Sequence, residues 1–169
     1  MHLMKSTTPV LLGLVLVTAA FAGGPLLCHP WVSTPGSLFE ALEPLRSKAL
    51  EADDSPAHKE AALKKLATLR SEIRPNDALS LMRAGYWATA MNHMGISPAT
   101  DGPELMERAV GLKPEDAEYQ AMTAIAYFAT DKKLYQKHAQ LARQLGKPGS
   151  AAVRNLPEMG AEKTASTNH

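Results

Sequence analysis

Between residues 37 and 146 apolar side chains recur at three- and four-residue intervals, and prolines, glycines and short polar residues cut the pattern into segments. Such spacing lays an apolar stripe along one face of a helix. Leu38, Leu42, Leu45 and Ala49 form the first stripe, behind Ser37 and Glu40 at capping-box spacing. Pro44 falls inside it, which predicts a kink or a helix that begins in earnest there. Asp53-Asp54-Ser55-Pro56 then punctuates, with Ser55 as cap and Pro56 in the first turn. Ala62, Leu66, Leu69 and Ile73 give a second stripe, with Lys59, Lys64, Lys65 and Arg70 turned to water. Pro75 stops it, and Asn76 caps a third helix to about Met94 that carries two apolar rows: Leu79, Met82, Tyr86, Ala90, Met94 and Leu81, Ala84, Ala88, Met91. A helix apolar on two sides is sandwiched between neighbours. Asp101 and Pro103 open a fourth helix with Leu105, Met106, Ala109, Val110 and Leu112. Lys113-Pro114-Glu115-Asp116 restarts the chain into a fifth, which carries Met122, Ile125, Ala126 and Phe128, is rich in alanine and is again apolar on more than one side. Asp131 caps a sixth, whose row is Leu134, His138, Leu141 and Leu145, closed by Gly146. No segment in this range alternates with period two, so the pattern predicts an all-α fold of about six helices.

The two ends read differently. Lys5 precedes an unbroken run of apolar and small residues from Val10 to Ala22, and no acidic residue occurs before Glu40. A basic start, a short apolar run and small residues at Ala20 and Ala22 are the parts of a secretory signal cut before Gly23. The run falls short of the roughly 20 residues that a full span requires, which favours cleavage over an anchor. The expected organisation is a signal peptide at 1–22, an extended lead-in at 23–36 shaped by Pro30 and Pro35, a helical domain at 37–146, and a disordered tail of small and polar residues at 147–169. The destination is then the periplasm or cell envelope of a bacterium, with membrane contact if the N-terminus stays uncleaved or if Cys28 carries lipid. Cys28 is the only cysteine, which excludes an internal disulfide or a multi-cysteine zinc site. Leu26-Leu27 precede it where a lipoprotein signature wants a small residue, so the match to that signature is poor. Its other readings are a free thiol, an intermolecular disulfide, a ligand beside His29, or a small apolar side chain packed near the first helix.

The segment Leu105-Met-Glu-Arg-Ala-Val-Gly-Leu-Lys-Pro-Glu-Asp-Ala-Glu118 resembles the join between consecutive tetratricopeptide repeats. Ala109, Leu112 and Pro114 match that family's positions, as do Tyr86 and Ala90 in the unit before and Tyr119, Ala139 and Ala142 in the unit after. Thr123 stands where the family has a smaller residue, Tyr135 where it has alanine, and the loop from Gly95 to Pro103 is elongated. The resemblance covers about residues 77–145, or two degenerate units. It implies helical hairpins stacked into a short array with a concave face for a protein or peptide partner. On that face Trp87 and Tyr127 are the candidate aromatic anchors, against the plainer reading that they fill the core.

Composition narrows the chemistry. The 169 residues carry 18 basic and 17 acidic side chains, a balance that argues against a strongly cationic nucleic-acid binder. The six histidines, at 2, 29, 58, 93, 138 and 169, never stand three or four apart, so no two share a helix face as metal ligands. There is no HExxH, GxSxG elbow, phosphate-cradling loop or dinucleotide fingerprint. Glu104 with Glu107, and Glu115 with Glu118, suit helix N-termini and read as solvated. The expectation is an exported, non-catalytic interaction module with a protein or peptide partner, no cofactor, no metal and no nucleic acid. The alternative is a small-ligand or haem-binding bundle using His29, His93 or His138, and a third possibility is an enzyme with Cys28 as nucleophile.

Overall fold

The computed structural model describes Leu26, residues 30–53 and residues 55–157. The expected signal peptide with Ala20, Ala22 and Gly23, and the side chains of Cys28 and His29, lie outside the described residues. Seven helices follow: α1 Leu38–Leu50, α2 Pro56–Ser71, α3 Ala78–His93, α4 Gly102–Leu112, α5 Ala117–Tyr127, α6 Lys132–Leu145 and α7 Ala151–Arg154, with no strand among the described residues. The fold is all-α.

Local chemistry sets most helix starts. Ser37, Ser55, Asp77, Asp116 and Asp131 each accept a hydrogen bond from a backbone N–H of the first turn. The third helix is thus capped by Asp77, one residue beyond the expected Asn76: the Asp77 carboxylate accepts from Leu79 N at 3.0 Å. Asp101 precedes α4 without capping it, since its carboxylate is drawn 2.5 Å from the Arg70 guanidinium. Pro44 does not delay α1, which runs unbroken from Leu38. Gly146 ends α6 in an extended rather than left-handed conformation. Its need is space, because a Cβ there would stand 2.8 Å from Ala142 O and 3.1 Å from Val153 Cγ2.

Two helices form the centre. α3 touches α1, α2, α4 and α5, while α5 touches α1, α3, α4, α6 and α7. α3 and α4 run in opposite directions, with Gly85 against Met106 and Gly102 against Thr89. The approach is so close that a Cβ on Gly85 would lie 2.6 Å from Met106 Cγ and 2.7 Å from Gly102 O. The stripes of α1 and α2 are buried as the spacing predicts except for Ile73, which is half-buried beyond the end of α2; in the later rows Leu79, Leu112 and Leu145 are exposed. On α6 the buried face is Tyr135, His138, Ala139 and Ala142, so Leu134 and Leu141 are only half-buried. The small alanines let α6 sit close to the alanine-rich α5, which displaces the leucine row to the side of the contact.

The tail prediction fails for residues 150–157. Ala151, Ala152, Asn155 and Leu156 are buried, and Tyr135 OH donates to Pro157 O. Asn155 also clasps the lead-in: its Oδ1 accepts from Val32 N at 2.7 Å and its Nδ2 donates to Val32 O at 2.8 Å. Beside that clasp Trp31 packs edge-on against Phe39 and Tyr86, at 5.5 and 5.4 Å between ring centres. The average polarity of 147–169 hides a short apolar pattern, Ala151-Ala152 and Leu156, that has a surface to cover. Residues 158–169 lie outside the described residues.

Candidate functional site

α1 and α2 both rest on α3, yet they do not pack closely on each other. The gap is a cleft of about 410 Å³, with Lys48 and Glu51 on the α1 side, Lys64 and Lys65 on the α2 side, and Ala62 and Trp87 at its floor. That volume is within the range of small-ligand and side-chain pockets. The Trp87 indole N–H donates to Ala62 O at 3.0 Å and so ties α2 to α3. Trp87 is only 3% exposed. It is therefore the floor of a cleft rather than a projecting anchor, because α2 folds over its ring. Asp53 and His58 pair at 2.7 Å beside the cleft. Hydrogen bonds from Ser55 first, and His58 after it, hold the Asp53 carboxyl down at about 2. No ion pair engages Lys48, Lys64 or Lys65 among the described residues.

A second polar cluster lies inside the other half of the molecule. His138 on α6 is 1% exposed. Its Nδ1 stands 2.8 Å from Gln120 Oε1 on α5, and its Nε2 stands 2.7 Å from Glu107 Oε1 on α4. Gln120 Nε2 donates to Pro114 O at 2.9 Å, which fixes the amide so that its oxygen faces the imidazole. The Tyr127 ring stacks on His138 with 6.1 Å between centres and 17° between planes. Burial pushes the His138 ring below its ordinary value, while the Glu107 carboxylate pulls the other way. Burial, reinforced by Glu107, pushes the Tyr127 phenol up to about 12. The cluster fastens three helices to one another. The two His138 nitrogens face the Gln120 and Glu107 oxygens, and a neutral ring, which has one N–H, donates to one of them at a time. Neither nitrogen is open to a ligand, and the half-buried Tyr127 spends its ring face on His138 instead of a partner. His93 is the half-buried last residue of α3, with its pKa lowered by burial. Among the described residues, no group of three or more His, Cys, Asp or Glu is placed to hold a metal ion.

The structure thus separates the two expected anchors, sending Trp87 to the cleft and Tyr127 to the histidine cluster. It also gives two carboxylates work that a solvated-face reading does not foresee. Glu107 meets His138, and Glu118 Oε2 accepts from Leu38 N at 2.5 Å, joining the starts of α5 and α1. Burial pushes the Glu118 carboxyl up. Neither contact has a local sequence signal, because the partners lie 31 and 80 residues away. The lysine pair at 64 and 65 was visible, but only the gap between α1 and α2 makes it a wall.

Comparison with protein-family models, with curated proteins and with solved structures gives no match to this chain. Among the described residues no helix is long and apolar enough to cross a membrane.

Proposed function

We propose that this is an exported, non-catalytic helical protein that binds a protein or peptide partner in the cleft between α1 and α2. The observation that carries the reading is the cleft itself: two helices lean on a common third and leave open a concave, aromatic-floored gap. The tetratricopeptide-like part of the proposal draws support from the antiparallel α3 and α4 and from the burial of Tyr86, Ala90, Ala109, Tyr119, Ala139 and Ala142 at the matching positions. Export rests on the N-terminal pattern, and the intact mass of the soluble protein tests it: a chain beginning at Gly23 is expected. A mass that begins at Met1 would defeat it. The haem- or ligand-binding alternative gains nothing from His138, whose ring is fully engaged.

Docking is tested with a photo-crosslinking side chain placed in living cells at exposed Thr68, which lines the cleft, and at exposed Lys133 on α6. A protein adduct from position 68 and not from position 133 is the expected result. Equal adducts from both positions, or none from 68, would remove the cleft as the docking site.

A further inference from the structure

Positive charge is concentrated around the cleft in a chain that is otherwise nearly balanced. α2 carries Lys59, Lys64, Lys65 and Arg70 against a single carboxylate, Glu60, while the whole chain has 18 basic and 17 acidic residues. Of these cations Lys64 and Lys65 line the cleft on one side and Lys48 lines it on the other, with Glu51 the one acidic side chain among the described lining residues. Arg70 is engaged by Asp101 and lies away from the opening. Lys48 and Lys64 are exposed and Lys65 is half-buried, and all three line a gap whose floor is apolar: Ala62 and the Trp87 ring.

An occupant that complements both features presents carboxylates to the rims and an aliphatic side chain to the floor. We infer that the cleft between α1 and α2 takes an acidic, leucine-bearing segment of another protein. This rests on the reading of the cleft as the docking site and adds the chemistry of what docks. A flat anionic surface would meet the lysines but leave the floor unfilled, since a volume of about 410 Å³ admits side chains and not a bilayer plane. Lysine suits the task as a point charge on a flexible stem that can follow a carboxylate.

The test uses the protein in the N-terminal form its cells produce, and a fluorescein-labelled peptide, Glu-Leu-Glu-Glu-Leu-Leu-Glu-Glu, followed by anisotropy. Binding is expected, weakened by added salt and at least about tenfold weaker when the glutamates become glutamines. Lys64→Glu combined with Lys65→Glu should weaken it by about the same factor, each reversal exchanging an attraction for a repulsion. Lys133→Glu on α6 should leave it within about twofold, exposed charges remote from a site adding little. Lys64 is exposed and Lys65 half-buried, with neither side chain in the core, so circular dichroism should show the same helix content throughout. Absence of peptide binding overturns the inference, as does equal binding of the glutamine peptide or of the Lys64/Lys65 variant. Binding of phosphatidylglycerol vesicles in place of the peptide would make the surface a membrane contact and overturn it too. A concentration-dependent doubling of mass, lost in the Lys64/Lys65 variant while the peptide stays unbound, would assign the cleft to a second copy, with the same consequence. If the position-68 adduct persists in any of these cases, the docking site survives and only its acidic occupant falls.

Discussion

α2 and α5 are both regular helices, but they are held by different means. Eight consecutive residues of α5, Tyr119 to Ala126, are buried out of eleven, and five other helices touch it. α2 buries three residues of sixteen, Ala62, Leu66 and Leu69, and its main neighbour is α3 alone. Enclosure stabilises α5 from every side. α2 relies on a Ser55 cap, a proline at its first turn, one apolar stripe and the bond from Trp87. Isolated helices of this length are marginal in water, so α2 owes its persistence to that single contact face. The lesson is that the cleft wall and the structural centre are different helices, and the lightly held one borders the cleft.

The widest gap between the two should appear on truncating a side chain in α5. Ile125 is 1% exposed, and Ile125→Ala is expected to cost about 2–5 kcal/mol in urea unfolding. Leu63→Ala on α2, where the side chain is 45% exposed, should stay within about 0.5 kcal/mol. Comparable losses from the two would erase the contrast.

Next in size is the histidine that locks α5 to α4 and α6. His138→Ala leaves Glu107 and Gln120 without their partner and should cost about 1–3 kcal/mol. Its pH dependence has a definite sign. The groups around the ring are Glu107, Lys137, Tyr127 and the neutral Gln120; burial and Lys137 lower its pKa, and Glu107 alone opposes them. With the folded value below 6.5, the unfolded chain binds the proton first as pH falls. The contribution is therefore complete above pH 6.5 and is lost as pH falls from there through the folded pKa, at no more than about 1.4 kcal/mol per pH unit. The difference between wild type and His138→Ala, followed by urea melts across this range, isolates it from His93 and Glu118. If acid instead raised the wild type's advantage, the Glu107 ion pair would outweigh burial.

How much of this could be read beforehand divides along the same line. The stripes of α1 and α2 were legible because one face is wet and the 3.6-residue period survives. α5 was legible as a helix apolar on more than one side, which is what a central position looks like in sequence. α6 misled, since its leucines advertise a face that Ala139 and Ala142 take over by permitting closer approach to α5. Residues 150–157 were missed because a few apolar side chains were averaged into a polar stretch. Trp87 was expected as an exposed anchor and is buried instead: a lone tryptophan shows that something covers it, not whether that cover is a partner or α2. The Glu107–His138 and Glu118–Leu38 links depend on the packing of distant helices, and no local spacing encodes them.

The smallest expected effect touches the hinge of the comparison. Trp87→Phe keeps an aromatic floor and removes the indole N–H that bonds Ala62 O, at about 0.5–1.5 kcal/mol for a single neutral hydrogen bond. Because α2 has few other ties, the loss should be local. Amide hydrogens of α2 should exchange faster in the variant, while those of α5 keep their rates as long as exchange proceeds by local opening. An equal acceleration in both helices would mean that α2 and α5 open as one cooperative unit. In that event the cleft wall is as firmly built as the core, and the sparse burial of α2 does not make it the weaker of the two helices.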